Sequence, residues 1–375
     1  ALKLLTSRKY GSIVAAPTFG LPEELKGERN WDYRYTWIRD ASFTLYAFLR
    51  LGYTEEAREF MKWIEARCNE LHGDGALQIM YKIDGTPTIK EEELNHFEGY
   101  QQSQPVRIGN AAYDQLQLDI YGELMDAIYL YDKWGEPISA SLWEKLRKLV
   151  NWLCNNWNQP DEGIWEVRGQ KRDFLYSRLM CWVAIDRAMR VARKRSLPAP
   201  LDEWRKQRDT IYYEIFEEFW DPQRKAFMKY KGANQLDAAC LLMPLVKFIS
   251  PTDPKWLSTM EAIEDELVND SLVYRYKPSI ELDGLRGEEG TFNICSFWYY
   301  ECLARSGDLE KARLYFEKML GYANHLGLYA EELGACGEHL GNFPQAFTHL
   351  ALIGSAHYLN KALNRKKQQS AQTYK

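Results

Sequence analysis

The stretch LRLGYTEEAR, residues 49–58, has a partial copy in ARSGDLEKAR, residues 304–313, and both contain R-x-G-x-x-E-x-A-R. In each copy the pattern is typical of a helix that ends, a glycine turn, and a second helix that begins with acidic residues. The shared unit is therefore a helical hairpin. The copies begin 255 residues apart (304 − 49), which excludes a solenoid of short period. We expect a chain built from helical hairpins.

Helical periodicity extends outward from both copies. Residues 54–71 place apolar side chains on one face, with Glu55 and Glu56 in the first turn. Residues 309–320 repeat that arrangement. Similar amphipathic segments are predicted at approximately 40–51, 112–134, 138–158, 174–195, 201–219, 235–248, 255–268, 293–305 and 342–363. The start of the chain, ALKLL, is a further candidate, which gives about a dozen helices.

Other structural signals are few. LQIMYKI at 77–83 is the best candidate for a β-strand, and SLPAP at 196–200 is too short to separate domains. We therefore predict one all-α domain over residues 1–363, in which hairpins close into a ring around a large core. The polar residues 364–375 are predicted to form a frayed tail.

Composition excludes several classes of function. The net charge is −5 and the isoelectric point is near 5.9, so we expect no nucleic-acid partner. No apolar run reaches the roughly 18 residues that span a bilayer, so we expect no membrane partner. Six His residues lack metal-binding spacing, and seven Cys residues include no CxxC pair. We therefore expect no metal site, and we expect the thiols to be free. Since no signal peptide opens the sequence, we also expect a cytoplasmic location.

Four segments between the predicted helices combine aromatic residues, glycine and acids: 72–111, 159–173, 269–292 and 326–341. Long loops in a compact helical domain are usually functional or disordered. If the hairpins form a ring, these loops can meet at one end of it. They contain the candidate carboxylates Glu166, Glu288, Glu289, Glu331 and Glu332.

The segment RNWDYRYTWIRDA, residues 29–41, mixes aromatic rings with charged side chains. Rings stack on the C–H faces of sugars, and Arg and Asp bind sugar hydroxyls. A carboxyl group against a ring loses hydration, which raises its pKa and makes it a usable general acid. Glycoside hydrolysis requires two such groups. Taken singly, Asp40 is most simply a helix N-cap or a first-turn acid, and Arg39 is most simply its ion-pair partner.

The motifs YRYTWIRDASF, GIWEVRG, LRGEEGTFNICSFW and LYAEELG occur in this order. Together they resemble the catalytic domain of the glucoamylase-type family, glycoside hydrolase family 15, in its prokaryotic branch of trehalase-like and isomaltose-hydrolysing members. The resemblance covers about residues 1–363. It implies an (α/α)6 barrel of six hairpins with the active site at one rim. It also implies inverting, exo-acting hydrolysis of a terminal α-linked glucose, which releases β-glucose without a cofactor.

The same resemblance assigns roles to single residues. It implies that Glu166 is the general acid and Glu331 the general base. Arg39 and Asp40 match the pair that binds the 4- and 6-hydroxyls of the terminal glucose. The aromatic wall of the pocket is matched by Tyr33, Trp37 and Trp165. The arginine that reaches towards the next sugar is matched by Arg286.

Prokaryotic members usually carry an N-terminal β-sandwich domain, and none is visible here, nor is a starch-binding module. We therefore expect a small substrate, namely a malto- or isomalto-oligosaccharide or trehalose. The first alternative is a non-catalytic, glucoamylase-like regulatory or sugar-binding domain, although the presence of both glutamates argues against it. A helical-repeat scaffold is the second, but the 34-residue period is missing.

Overall fold

The structure is a computed structural model that describes residues 1–69, 77–277, 287 and 289–373. Twelve α-helices lie within these residues. They are α1 (Leu2–Leu5), α2 (Ala41–Leu51), α3 (Thr54–Asn69), α4 (Asp119–Trp134), α5 (Ala140–Asn156), α6 (Leu175–Arg195), α7 (Leu201–Glu218), α8 (Leu242–Leu245), α9 (Pro254–Leu267), α10 (Asn293–Ser306), α11 (Leu309–Leu320) and α12 (Ala346–Thr373). Three 3₁₀-helices span Tyr100–Gln102, Ala111–Asp114 and Ala238–Leu241.

Alternate helices form an inner ring. Helix α2 contacts α4, α4 contacts α6, and the segment of the third 3₁₀-helix and α8 connects α6 to α10. Helix α12 then packs against both α10 and α2, which closes the ring. The intervening helices α3, α5, α7, α9 and α11 lie outside it. This arrangement confirms the predicted all-α (α/α)6 barrel.

Burial separates the two layers. In the inner helix α6, 17 of 21 residues are buried, and in α10, 12 of 14 are. The outer helix α7 buries only three of its 18 residues, Trp204, Ile211 and Ile215. A helix buried all round belongs to a core, whereas a helix with one apolar stripe covers it.

The hairpin turns that the internal repeat predicts are present. Gly52 follows α2 with φ of 80°, and Gly307 follows α10 with φ of 106°. The N–H of each glycine donates to a carbonyl of the last helical turn, that of Phe48 or Leu303. Glycine has no Cβ and adopts left-handed backbone without a steric cost, so this residue reverses the chain at both positions.

Short strands tie the loops together at the end of the ring where the inner helices begin. They are β1 (Phe19–Pro22), β2 (Asn30–Asp32), β3 (Thr36–Trp37), β4 (Met80–Tyr81), β5 (Glu92–Glu93), β6 (Arg107–Ile108), β7 (Trp220–Asp221), β8 (Ala226–Phe227), β9 (Val268–Asn269), β10 (Leu272–Val273), β11 (Thr291–Phe292), β12 (Glu332–Leu333) and β13 (His339–Leu340). Pairing is antiparallel: β3 pairs with β4, and β12 lies between β11 and β13. The predicted strand at 77–83 is thus limited to β4.

Three predicted helices differ from the structure. The segment predicted at 112–134 becomes helical only from Asp119. The segment predicted at 235–248 is reduced to a 3₁₀-helix and α8, because Pro244 has no N–H to continue a longer helix. The last predicted helix begins after Pro344 and continues to Thr373. Residues 364–373, predicted from sequence as a polar tail, continue α12 in the structure.

Two further observations concern the described residues. All seven cysteines are free; six are buried and Cys336 is exposed. No helix in these ranges combines the length and the apolar character that crossing a membrane requires.

Candidate active site

The candidate site lies at the rim where the inner helices begin. The segment 29–41 crosses this rim through β2 and β3 and enters α2. Its rings Tyr33 and Trp37 are neighbours, with centroids 5.5 Å apart and planes at 72°. Each of these rings contacts one of the two glutamates predicted to be catalytic.

Glu331 lies beside Tyr33. The Tyr33 hydroxyl donates a 2.6 Å hydrogen bond to Glu331 Oε1. Glu331 Oε2 is buried without a hydrogen-bond partner among the described residues. Burial, followed by the negative charge of Glu23, raises the pKa of Glu331 to about 8. A raised pKa is the property expected of the acid, whereas the resemblance assigns Glu331 as the base.

Glu166 lies beside Trp37. The Trp37 indole donates a 2.6 Å hydrogen bond to Glu166 Oε1, and Arg39 Nη1 lies 3.2 Å from the same oxygen. In the described part of the chain, Glu166 Oε2 has no hydrogen-bond partner. Because Oε1 accepts the hydrogen bonds from both Trp37 and Arg39, Oε2 is the oxygen able to exchange a proton with a ligand.

The backbone of Glu166 is strained. Its φ is 55°, in the left-handed region that residues with a Cβ rarely adopt. Such a conformation costs on the order of 1–3 kcal/mol and persists where surrounding contacts impose it. Here Glu166 N–H donates to the Gly163 carbonyl at 3.2 Å, and Trp37 and Arg39 fix the carboxylate.

Arg39 and Asp40 lie at the start of α2. Arg39 Nη1 also donates to the Ile164 carbonyl at 2.6 Å, which ties α2 to the Glu166 loop. Asp40 occupies the N-cap position of α2, as one interpretation of the sequence predicts, but its side chain makes no capping hydrogen bond. Its Oδ1 lies 3.6 Å from Arg39 Nε, and each atom is buried without a hydrogen-bond partner among the described residues. Burial raises the pKa of Asp40 to about 6. Both side chains thus have spare capacity for ligand hydroxyls.

Trp165 forms another wall of the site. Its indole N–H donates to both carboxylate oxygens of Asp237, at 2.9 and 3.0 Å. Its ring contacts Phe292 and Trp298, with centroids 5.3 and 6.4 Å away. This bracing leaves the ring half-buried, so one part of it is available to a ligand.

Two residues singled out from sequence, Arg286 and Glu288, lie outside the described residues. Glu332 is described and fully buried: its Oε2 accepts a 2.8 Å hydrogen bond from the Gly290 N–H. Burial raises the pKa of Glu332 well above its usual value. Glu332 follows Glu331 directly in sequence, but the surrounding protein covers its side chain completely.

Sequence reasoning missed a buried charge network beside Glu331. Arg275 forms a bidentate pair with Glu289, at 2.6 and 2.5 Å, and Arg29 contacts Glu289 at 2.7 Å. Glu23 lies 3.5 Å from Arg275 and accepts a 2.8 Å hydrogen bond from the Trp31 indole. Burial raises the pKa of Glu23 to about 7. The sequence signal that could have identified Glu23 is its position, six residues before the segment 29–41 (29 − 23).

A small cavity reaches three of the predicted site residues, Tyr33, Trp165 and Glu166, and is also lined by Glu23 and Arg275. Its volume is about 50 Å³, which accommodates a few water molecules. This volume is therefore smaller than a sugar ring. Among the described residues, no group of three or more His, Cys, Asp or Glu is arranged to hold a metal ion.

Curated relatives cover the chain but are longer. A trehalase of Mycobacterium tuberculosis is 44% identical over 366 residues, which are 96% of this chain and 53% of the relative. A trehalase of Thermoplasma acidophilum is 41% identical over 364 residues, 96% of this chain and 61% of the relative. The chain thus spans about half to three-fifths of the length of these relatives.

Comparison with solved structures supports the fold. A bacterial glucoamylase complexed with acarbose superposes with a TM-score of 0.73 at 14% identity, over 96% of this chain and 54% of that one. At this identity the likeness shows a shared fold. A family profile, Glycosyl hydrolases family 15, matches residues 1–357. Because that match covers nearly the whole sequence, the chain belongs to glycosyl hydrolases family 15.

Proposed function

We propose that the chain is the catalytic domain of an inverting, exo-acting α-glucosidase. One observation carries this proposal: Glu166 and Glu331, 165 residues apart in sequence (331 − 166), contact the neighbouring rings of Trp37 and Tyr33 in one site. Two carboxyl groups flanking one bond are what glycoside hydrolysis requires. A regulatory domain that only binds sugar has no need for this pair.

We favour trehalose as the substrate, because the curated relatives are trehalases. The disaccharide consists of two α-linked glucose units, so its cleavage fits an enzyme that binds one terminal glucose. Maltose and isomaltose are the competing substrates. All three are neutral, and none demands a metal or an organic cofactor.

In this mechanism the terminal glucose lies against Trp165 and Tyr33, and Arg39 and Asp40 bind its hydroxyls. Glu166 donates a proton from Oε2 to the glycosidic oxygen. Glu331 removes a proton from a water molecule on the opposite face of the ring, and the water attacks the anomeric carbon. Inversion predicts that the carboxyl groups lie roughly 6.5–9.5 Å apart when substrate is bound.

The raised pKa of Glu331 limits this mechanism. A base must be ionised, so Glu331 has to lose its proton before it can activate water. The Tyr33 hydroxyl and the positive charge of Arg275 favour the ionised form. Burial and Glu23 oppose it. We therefore expect the rate to increase as pH rises towards 8.

The test is to incubate the protein with trehalose, maltose and isomaltose and to follow the products by anomer-resolved proton NMR. Inversion at one carbon of trehalose yields one α-glucose and one β-glucose per turnover, before mutarotation. Two α-glucose molecules per turnover would indicate retention and contradict the proposal. Absence of glucose release from all three sugars would favour the sugar-binding alternative.

We also propose a cytoplasmic location. Six of the seven cysteines are buried as free thiols, a state that a reducing compartment preserves. Fractionation of the native cells with an antibody against the protein tests this. Recovery outside the cytoplasm would contradict it.

A further inference from the structure

A large cavity opens at the rim of the barrel opposite the candidate active site and extends inward to Ser42, Phe43 and Trp298. Its volume is about 580 Å³. Its walls include the last turns of α2 and α4, with Arg50, Lys133 and Trp134, and the C-terminal half of α12. The candidate catalytic groups, in contrast, lie where the inner helices begin. The reaction proposed above makes no use of this second cavity.

Positive charge dominates the lining of this cavity. Nine lysines and arginines line it, against three acidic residues. The acids are already engaged: Glu301 accepts a 2.6 Å bond from Arg305, and Asp126 accepts a 2.5 Å bond from Arg187. Glu123 accepts hydrogen bonds from the hydroxyl groups of Ser42 and Tyr176. The engaged acids leave a positive surplus around the cavity.

Five of the basic residues form no ion pair with a carboxylate in the described ranges: Arg50, Lys133, Lys247, Lys361 and Arg365. Arg50 lies 4.9 Å from the ring centroid of Tyr46, and Lys133 lies 4.9 Å from that of Trp134. A ring attracts a cation without neutralising it.

His357 lies among these cations. Burial, and then the charges of Arg50 and Lys361, lower the pKa of His357 below its usual value. Cations from α2 and α12 therefore converge on one region of the cavity.

Helix dipoles explain only part of this charge. Basic residues in the last turn of a helix stabilise its negative end, which accounts for Arg50 and Lys133. Lys361 and Arg365, however, lie twelve and eight residues before the end of α12 at Thr373. Lys247 follows α8 in a loop. Lys361 and Arg365 are thus too far from the helix end to offset its dipole, and none of the three cations has a carboxylate partner among the described residues.

We propose that this cavity binds a phosphorylated small molecule with a ring, such as a sugar phosphate or a nucleotide. Lys361 and Arg365 bind the phosphate, because cations form strong charge-assisted hydrogen bonds with its oxygens. Tyr46 and Trp134 provide faces against which a ring packs. The volume falls within the roughly 300–1,000 Å³ typical of small-molecule sites. The proposed substrate is neutral, so it does not account for this charge.

Isothermal titration calorimetry on the whole chain tests the proposal, with glucose 6-phosphate, adenosine monophosphate and inorganic phosphate as separate probes. We expect one of the two ring-bearing phosphates to bind at least tenfold more tightly than inorganic phosphate. Which of them binds distinguishes a sugar phosphate from a nucleotide. The Kd should increase with salt, since the contacts are ionic.

The decisive variant is Lys361→Gln with Arg365→Gln, which we expect to weaken this binding at least tenfold. The matched control is Lys148→Gln with Lys206→Gln, which removes the same charge from the outer helices α5 and α7 and should leave the Kd unchanged. All four side chains are exposed, so both proteins should fold, and circular dichroism verifies this.

Two results would overturn the proposal: no binding of either ring-bearing phosphate, or equal binding by both double variants. Repeating the titration in Glu166→Gln protein saturated with trehalose separates this cavity from the candidate active site. Unchanged affinity there is expected, and displacement by trehalose would contradict the assignment. Because the readout is binding, the experiment remains informative even if the proposed hydrolysis is wrong.

Discussion

Tyr33 and Trp37 were expected to form the wall of a sugar pocket, and the structure gives them a second task. The Tyr33 hydroxyl and the Trp37 indole N–H donate to Glu331 and Glu166, so each ring also fixes a candidate catalytic carboxyl group. A nearby aromatic residue made both glutamates candidates in the sequence, and the family resemblance singled them out from the other candidate carboxylates. It could not identify Glu23, whose importance depends on a charge network assembled by folding.

Removing either carboxyl group should abolish most of the activity. We expect Glu166→Gln and Glu331→Gln each to lower kcat by roughly 10²–10⁴-fold, the usual contribution of acid–base catalysis. The measurement is steady-state glucose release from trehalose. Near-normal turnover by either variant, with its circular dichroism unchanged, would exclude that residue from the mechanism.

Glu23→Gln should change the pH dependence rather than remove activity. The negative charge of Glu23 raises the pKa of Glu331, so its loss should lower that pKa. The acid limb of the kcat/KM profile, which reports ionisation of the base in the free enzyme, should move to lower pH. The control variant Glu24→Gln removes one negative charge at the neighbouring position and should shift the acid limb of the profile less. Identical profiles for the two variants would contradict this role.

At the scale of elements, sequence periodicity was most successful for isolated amphipathic helices. Residues 309–320 were predicted and observed as one helix. Prediction was weakest where proline or burial decided the outcome: Pro244 shortens α8, and Pro344 delays the start of α12. The loops that form the site were located, but their paths were not, because tertiary pairing sets them, as β3 with β4 illustrates.

The turn after β13 offers a test of how closely the backbone fits the candidate base. Gly341 has φ of 73°, and a Cβ there would lie 2.6 Å from Glu331 Oε2. Gly327 has φ of 71° with open space around it. Both alanine variants carry a similar backbone strain, of order 1–2 kcal/mol. Only Gly341→Ala should also displace Glu331.

We therefore expect Gly341→Ala to lower kcat at least tenfold more than Gly327→Ala, and to lower the thermal midpoint further, because only the Gly341 variant adds a steric overlap to the backbone strain. Trehalose hydrolysis and differential scanning fluorimetry measure the two effects. Equal kcat values would show that the contact with Glu331 does not matter for the reaction.

At the scale of the whole molecule, the core contains many buried carboxyl groups. Burial raises the pKa of six of them: to about 8 for Glu123, Asp161 and Glu331, to about 7 for Glu23, and to about 6 for Asp40 and Asp119. Between the usual carboxyl pKa and these values, the folded chain binds more protons than the unfolded chain. The free energy of unfolding should therefore fall as pH rises from about 5 to about 8.

Urea denaturation at pH 5.5, 7.0 and 8.5 measures this dependence, and each fully buried group contributes up to about 1.4 kcal/mol per pH unit. Glu123→Gln cannot ionise and should flatten the curve. A midpoint that increases with pH would contradict the prediction. Stability and the proposed activity thus have opposite pH dependences, because ionisation of Glu331 serves the reaction and costs stability.

The closure of the ring by α12 against α2 also has a consequence for biosynthesis. The two helices begin 305 residues apart (346 − 41), and a ribosome adds roughly 5–20 residues per second. The flank of α2 that α12 covers thus emerges roughly 15–60 s before its partner exists. During that interval the apolar flank of α2 has no partner helix to cover it. We therefore expect the yield of folded protein to depend on how well that flank is kept from other apolar surfaces during translation.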